Sequence, residues 1–536
     1  MRVDFRWHHY RYLPYEQVLA KRELAALFGR QAESVPGGLR IEADLHWAER
    51  AYRTTYFREA VAENGERVIP LQAMLEGTAN GMRHPGLPGM QVAPVLRRQS
   101  TRYSAHGLHE YRGKFNPQIV RAVANLLGVS TGDWVLDPFC GSGTTLLEAA
   151  HGGWNAIGID LNPLAVHIAR AKIAAMRVPL SLLREQTDAV ATGLRARAQR
   201  LSFDRAFSDD EIRQIAGPGW VTRLPGGDHL SAWFTNSVLA QVSAVVTEIA
   251  ALPSPEVRLI LEVVLSDLLR DVSLQDPADL RIRRRKDAPE NVPLIPRFLD
   301  SLSARLELIV RARECVSRVS GVQHALVGDV RSCSAILRGR HSCNNAAIFR
   351  AAITSPPYAT ALPYIDTQRL SLITLGLIAP NEVRSTESRL IGSREMTTRE
   401  RRTVEAAMAS DDGHLPSECL TLCRELADAL RHGRDGFRRQ NVPALVYKYL
   451  VDMRSAFRQV RELLAPRAPL ALVVGRNRTV LGGKVFVLDT PRLLATIARD
   501  SGFELEEVLE LDTYQRFDVH QANSIRSEAL VVLRKR

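Results

Sequence analysis

A chain of 536 residues is too long for one ordinary domain and should fold as two or three cores. Its 45% hydrophobic content is that of a globular protein. No apolar run approaches the roughly 18–20 residues of a membrane span, and Met1 to Tyr15 lacks a signal-peptide core, so a cytoplasmic location is expected. Lys and Arg outnumber Asp and Glu by 71 to 59, a net charge of +12 that suits a polyanionic partner, and six cysteines with no C-x-x-C pair point to free thiols rather than a disulfide scaffold or a zinc site.

Residues 1–98 read as an N-terminal α/β accessory region. The basic and aromatic opening, Arg6 to Tyr15, could touch a polyanion, but it has first the pattern of a surface strand with solvated arginines and half-buried rings. Pro14 introduces an amphipathic helix over Glu16–Leu27, and Leu39–Ala43 has strand composition. Trp47–Ala62 reads as a further helix and His84–Pro94 as a linker. Beyond it, H-E-Y-R-G-K-F-N-P (His109–Pro117) leads into an apolar helix reaching Leu127, with Asn116 and Pro117 as its start signal.

The most informative stretch is Trp134–Pro163. Val135 and Leu136 form a short apolar run closed by Asp137, Pro138 and Phe139. Gly141-Ser142-Gly143 then permits backbone angles that a Cβ would forbid. Thr144–Ala150 has helix composition and ends at Gly152-Gly153. Ala156–Ile159 is a second buried strand, ending in Asp160, and Asn162-Pro163 opens the next helix. A glycine turn between strand and helix lets a ligand approach the backbone. An acid at the end of the next strand, here 23 residues after Asp137, can take two ribose hydroxyls. The stretch specifies a nucleoside cofactor without saying which.

After the helix Pro163–Met176, residues 181–320 form a long, mostly helical block, with helical apolar spacing over Phe234–Leu252, Glu256–Asp271 and Pro296–Val316. Between the last two lies Arg281-Ile282-Arg283-Arg284-Arg285-Lys286, five cations in six residues. Such a run is a solvated loop, and it is the segment best suited to phosphate contact if the substrate is a nucleic acid. Ala325–Val327 is a strand ending in Gly328-Asp329, and the apolar run Ala346–Ile353 ends in Thr354-Ser355-Pro356-Pro357-Tyr358. Leu370–Leu377 is helical, 379–440 polar and irregular, Pro443–Leu464 helical, and Leu470–Val474 a strand before Gly475. Pro491–Ser501 is a helix and Ala529–Leu533 a final strand. This alternation predicts an α/β fold with a doubly wound, mainly parallel sheet. It carries a large helical insertion between the second and third core strands and a second, polar insertion at 379–440. Asp137, Asp160, Asp329 and Ser355 all fall at strand ends, so one cleft should hold them.

Two prolines after a buried strand remove two N–H donors and fix two φ angles, leaving rigid carbonyl acceptors. Ser355 adds an acceptor and Tyr358 a flat ring. The set suits a planar group bearing an exocyclic NH2: the acceptors hold the amino hydrogens and draw the nitrogen lone pair out of conjugation. Such a nitrogen can attack an electrophilic methyl group held beside it, with catalysis by positioning and electrostatics.

D-P-F-C-G-S-G-T-T (137–145), I-D-L-N-P (159–163), G-D-V-R (328–331) and T-S-P-P-Y (354–358), in this order, resemble the motifs of S-adenosylmethionine-dependent amino-methyltransferases of DNA. His109–Pro117 is similar to the segment that precedes their glycine loop. Gly475 and Ile525-Arg526-Ser527-Glu528 fit their tail. The resemblance covers roughly 100–180 and 321–536. It implies a Rossmann-like core, with the cofactor half at 99–180 and the catalytic half at 321–536. It further implies that Asp137, Pro138, Phe139, Gly141, Ser142, Gly143 and Thr144 hold the methionine part of the cofactor. Lys114 and Phe115 border that end, Asp160 takes the ribose hydroxyls and Asp329 the adenine amino group. Ser355, Pro356, Pro357 and Tyr358 hold the target amino group and stack a base flipped out of double-stranded DNA. A cognate restriction or defence-system protein is an implied partner. Serine at the head of the catalytic motif is nearer the cytosine-N4 than the adenine-N6 enzymes. The insertion at 181–320 has no counterpart in compact members and reads as a target-recognition element or a docking domain.

Two other readings compete. Guanine-N2 methyltransferases of tRNA share a similar glycine loop and a D-P-P-Y-type motif, against which Ser355 speaks. A nucleic-acid-binding module with a decayed site is opposed by the intact loop, ribose acid and acceptor motif. A dehydrogenase is excluded, because the chain lacks G-x-G-x-x-G and that chemistry leaves Ser355–Tyr358 unexplained.

Overall fold

The computed structural model describes residues 1–80, 96, 99–111, 113–199, 201–276, 279, 283–287, 290–316, 319–338, 348–359, 363–431, 435–512 and 527–536. The linker expected at His84–Pro94 lies outside the described residues.

The N-terminal region is an antiparallel sheet. Strands β1 (Arg2–Trp7), β2 (Glu33–Val35), β3 (Gly38–Glu42), β4 (Phe57–Ala62) and β5 (Arg67–Val68) stand in the order β2-β3-β1-β4-β5. β1 is therefore a central strand, not the superficial one its arginines suggest. Val3 and Phe5 are fully buried on one face, while on the other Arg40 grips Asp4 at 2.6 and 2.9 Å. The helix expected over Trp47–Ala62 stops at Arg53, and the remainder is β4, paired with β1. β-Branched Thr54 and Thr55, followed by Tyr56 and Phe57, favour extended backbone, and the open edge of β1 supplies the partner. The helix Pro14–Phe28 starts with the Glu16 carboxylate accepting from the Leu13 amide at 2.7 Å and ends at left-handed Gly29. Its buried Leu19 and Leu24 share one apolar core with Ile119 and Val120 of the helix Pro117–Leu126.

The core is a seven-stranded sheet. β6 (Trp134–Asp137), β7 (Asn155–Asp160), β8 (Gln323–Val327), β9 (Ala351–Thr354), β10 (Pro469–Gly475), β13 (Phe503–Asp512) and β14 (Ser527–Lys535) stand in the order β13-β14-β10-β9-β6-β7-β8. β14 runs antiparallel to both neighbours and the other pairings are parallel. Successive residues face opposite layers. Val135, Ile353 and Val473 pack under the helix Pro117–Leu126, whereas Leu136, Ala352 and Leu472 pack under the helix Val442–Leu463. The sheet is covered on both faces, which is why its central strands are continuously apolar. A separate hairpin, β11 (Asn477–Leu481) and β12 (Lys484–Leu488), turns at Gly482-Gly483 and was not anticipated.

The 181–320 insertion enters between β7 and β8 as expected, but it is no satellite. Its helices Asn236–Ala250, Pro255–Val272 and Leu294–Cys315 share a single apolar core with the helix Pro163–Arg177. The second insertion is helical rather than irregular, with helices Val383–Arg389, Thr398–Ser410 and Ser417–Arg431. A reciprocal Thr397–Glu400 cap starts the second, and Cys419, Leu420, Cys423 and Leu426 form the buried stripe of the third. Among the described residues no helix is long and apolar enough to cross a membrane.

Candidate active site

Strand order reverses between β6 and β9, and ligands of such sheets bind beyond the carboxyl ends at that point. A cavity of about 680 Å³, its open mouth included, lies there. Pro138, Phe139 and Gly141 follow β6, Asp160 ends β7, Gly328 to Val330 follow β8, and Ser355 and Pro357 follow β9; all line it. Leu161, Val330, Leu390 and Ile391 make apolar walls between the acids.

The Asp160 carboxylate accepts from the Gly141 amide at 2.9 Å and the Asn162 amide at 2.8 Å, one bond on each oxygen. Each oxygen can accept another, which is what a vicinal diol requires. Burial pushes this carboxyl up to about 6. Asp329 is held differently. It accepts from the Arg331 amide at 2.9 Å and from the Arg331 guanidinium at 2.6 to 3.2 Å. Burial alone would raise Asp329, but the hydrogen bonds and charge of Arg331 outweigh it and leave the carboxyl below its usual value. Arg331 also donates to Asp452 at 2.8 Å and to the Arg389 carbonyl at 2.8 Å. It thereby draws the second insertion across the cavity, where Arg389, Leu390 and Ile391 form the far wall.

Four residues expected to touch the cofactor stand behind the cavity instead. Gly143 has φ +77°, and a Cβ there would lie 2.6 Å from Ala169 Cβ, so the helix Pro163–Arg177 packs directly on the turn. Ser142 is buried and its carbonyl accepts from Lys172 Nζ at 2.8 Å. Lys172 is itself fully buried, which drives its pKa well below that of a free lysine, and it braces the loop from behind. Thr144 is buried in the first helical turn. Asp137 is 2% exposed and accepts from Thr354 Oγ1 at 2.6 Å and from the Phe139 amide at 3.3 Å, and burial pushes it up to about 6. It ties the end of β6 to the end of β9, one residue before Ser355.

A second cavity, about 540 Å³ with its mouth, adjoins the first; Gly113, Ser355 and Tyr364 line both. Lys114, Phe115, Asn116, Pro356, Tyr358, Val473 and Glu528 complete it. Lys114 and Phe115, expected at the methionine end of the cofactor cavity, lie here instead. Lys114 Nζ donates to the Thr101 carbonyl at 2.6 Å, and burial pushes its pKa down to about 7. The Tyr358 hydroxyl donates to Glu528 Oε1 at 2.6 Å. Tyr111, Tyr364, Arg331, Arg389 to Ile391 and Glu528 were not singled out from the sequence. Tyr111 lies inside the His109–Pro117 motif and Glu528 in the quoted tail, so position alone pointed to them. Tyr364 and the Arg389 segment carry no local signal.

The helical insertion buttresses the segment that lines both cavities. His109 Nε2 shares a hydrogen bond with Ser266 Oγ at 3.1 Å, the Glu110 amide donates to Asp267 at 2.6 Å, and Arg305 donates to the Leu108 carbonyl at 2.9 Å. Burial holds His109 down at about 4, so it does this work uncharged. The basic run is partly consumed by the fold. Arg284 donates to the Ala232 carbonyl at 2.8 Å, and Arg285 to the Asp271 carbonyl at 2.8 Å and the Gln275 carbonyl at 3.3 Å. Arg283 and Lys286 are exposed, Arg283 lying 3.9 Å from Asp279. Arg281 lies outside the described residues.

The fit to known proteins is local. Residues 96–171 match the family model described as DNA methylase of the N6/N4 type. A 68-residue segment is 46% identical to the Type II methyltransferase M.MjaII of Methanocaldococcus jannaschii, covering 13% of each chain. A longer match, 23% over 197 residues, reaches the Type II methyltransferase M.MvaI of Kocuria varians and covers 36% of this chain and 40% of that one. A 52-residue segment is 44% identical to a tRNA (guanine(10)-N2)-dimethyltransferase of Methanothermobacter thermautotrophicus, covering 10% of this chain and 16% of that one. The residues at the strand ends fit S-adenosylmethionine: an acid with spare lone pairs for the diol, an ionised acceptor one strand further, and apolar walls between. On the matched segment, the order of its motifs and this cleft, the chain is similar to the N4/N6 amino-methyltransferases, and it spans 13% of the length of M.MjaII and 40% of that of M.MvaI.

Proposed function

We propose that the protein methylates an exocyclic amino group of a base flipped out of double-stranded DNA, cytosine N4 ahead of adenine N6. The observation that carries this reading is the shared wall: Ser355 lines both cavities. When bound, S-adenosylmethionine supplies an electrophilic methyl group on a sulfonium. Asp160 orients the ribose, and Asp329, held ionised by Arg331, accepts from the adenine amino group. Pro138, Phe139 and Gly141 bound the methionine end. In the second cavity Tyr358 and Phe115 offer faces on which a base stacks. Ser355 and the Pro356 carbonyl accept its amino hydrogens, which localises the nitrogen lone pair for attack. Serine at position 355 supports cytosine over adenine. A restriction or defence-system protein is the partner proposed with this activity, on the resemblance of the motifs alone. The helical insertion serves first as a buttress for the 108–110 segment, with target recognition on its outer surface.

Guanine N2 of tRNA is the second reading, favoured by the match to the tRNA dimethyltransferase over 52 residues. Incubating the protein with radiolabelled S-adenosylmethionine and either duplex DNA or total tRNA separates the two. Label in DNA recovered as N4-methylcytosine is expected; label confined to tRNA guanine overturns the DNA reading.

A further inference from the structure

We infer that Glu528 is a positioning residue that holds the Tyr358 ring in the plane on which the target base stacks. The inference rests on the second cavity being the base pocket. The two prolines before Tyr358 fix the backbone leading to it but leave its side-chain torsions free. The backbone beyond is clamped from two sides. Gly392, at φ +78°, lies so close that a Cβ on it would meet the Tyr358 carbonyl at 2.5 Å, and the Asn477 side-chain amide donates to the Ala359 carbonyl. The ring itself is held at its tip by the 2.6 Å bond from its hydroxyl to Glu528 Oε1, a length that marks a charge-assisted bond.

The two partners differ in how firmly each is placed. Glu528 sits in β14, in register opposite Gly475 of β10 and Leu511 of β13, so its backbone is fixed by the sheet on both sides. Tyr358 sits in a loop. The bond therefore lends the order of the sheet to a loop side chain. Stacking needs only the ring, which phenylalanine also provides; the hydroxyl is needed for the anchor. A ring already held in one plane loses less rotamer freedom when the base arrives, and it places the amino nitrogen reproducibly against Ser355.

The test is a mutant cycle in the full chain: Y358F, E528A, E528Q and Y358F/E528A. Each is measured for single-turnover transfer to the nucleic acid that the wild type labels, for nucleic-acid KM and for S-adenosylmethionine affinity. E528A is expected to lower kcat/KM for nucleic acid by roughly tenfold to a hundredfold, the worth of a hydrogen bond to a charged group, with cofactor affinity unchanged. Y358F should lose a similar amount, the double variant no more than either single one, and E528Q, which still accepts from the hydroxyl, should recover most of the activity. Additive losses would show that Glu528 contacts the base directly and overturn the inference, as would an equal fall in cofactor affinity. Wild type labelling neither DNA nor tRNA would defeat the functional reading alone. The anchor is then read by hydrogen–deuterium exchange at the Tyr358 and Ala359 amides. Exchange must quicken in E528A and in Y358F, and no further in the double variant; unchanged exchange in E528A contradicts it.

Discussion

The two cavities are built on different principles. The cofactor cavity is a product of the sheet. Four strand ends reach it, each contributing the residues that follow the strand; buried Lys172 on Ser142 and buried Asp137 on Thr354 brace it from behind, and half-buried Arg331 holds Asp329. The target cavity is assembled from segments at 113–116, 355–358, 364, 473 and 528, and single side-chain bonds hold its parts in place. Any doubly wound sheet with the right turns offers the first. The second depends on tertiary contacts that can change without disturbing the sheet, and on the proposed function substrate choice is made there.

Asp137 is the joint between the two, so its loss should be the most damaging. Asp137→Ala strands the Thr354 hydroxyl and the Phe139 amide in the interior. A cost of about 2–4 kcal/mol in urea unfolding is expected, because each stranded group costs about 1–3 and removal of a buried carboxylate returns part of it. Cofactor affinity and transfer rate should fall together; a change in only one would show that the cavities are not coupled there. Tyr358→Ala should act on the target side alone. Loss of base stacking is worth about 1–3 kcal/mol, so kcat/KM for nucleic acid should fall roughly fivefold to 150-fold in steady-state assays.

A pH titration sharpens the contrast from the cofactor side. In its proposed role Asp160 accepts diol hydroxyls as a carboxylate, and burial has raised its pKa to about 6. Affinity for S-adenosylmethionine should be flat above about pH 7 and fall towards tenfold per pH unit below about pH 6. Calorimetry across this range checks it, and Asp160→Asn should be weaker but lack the inflection. The smallest effect is expected outside both cavities. Neutralising Arg283, Arg284 and Arg285 together should reduce the salt slope of DNA binding by about 1 rather than about 3, since Arg284 and Arg285 already serve carbonyls. A drop of about 3 would show that the run is free to meet phosphates.

Legibility in the sequence followed the same division. The Gly141–Gly143 turn, Asp160 and Asp329 stand at fixed positions relative to strands, so local pattern sufficed to place them at one sheet edge. Pattern could not tell which loop residues face the ligand and which face the protein. Asp137 and Ser142 have the chemistry of ligand contacts, yet their polar atoms are used by Thr354 and Lys172. Glu528 enters the site from far along the chain, and Tyr364, though it follows Ser355 closely, stands at no spacing that marks it as part of the site. The Trp47–Ala62 helix failed at Thr54 because helical composition continued past a β-branched pair that a neighbouring strand could recruit. The hairpin at Asn477–Leu488 and the helices of 379–440 did carry signals, Gly482-Gly483 between β-branched residues and the Thr397–Glu400 cap.

The division of labour between the cavities is tested most directly by calorimetric titration of S-adenosylmethionine into the wild type, Asp160→Ala and Tyr358→Ala. Asp160→Ala should weaken binding by roughly tenfold or more, as expected for loss of charged acceptors to two hydroxyls, while Tyr358→Ala stays within about twofold of wild type. Equal weakening in both variants would contradict it, placing Tyr358 in the cofactor site and leaving no separate pocket for the base.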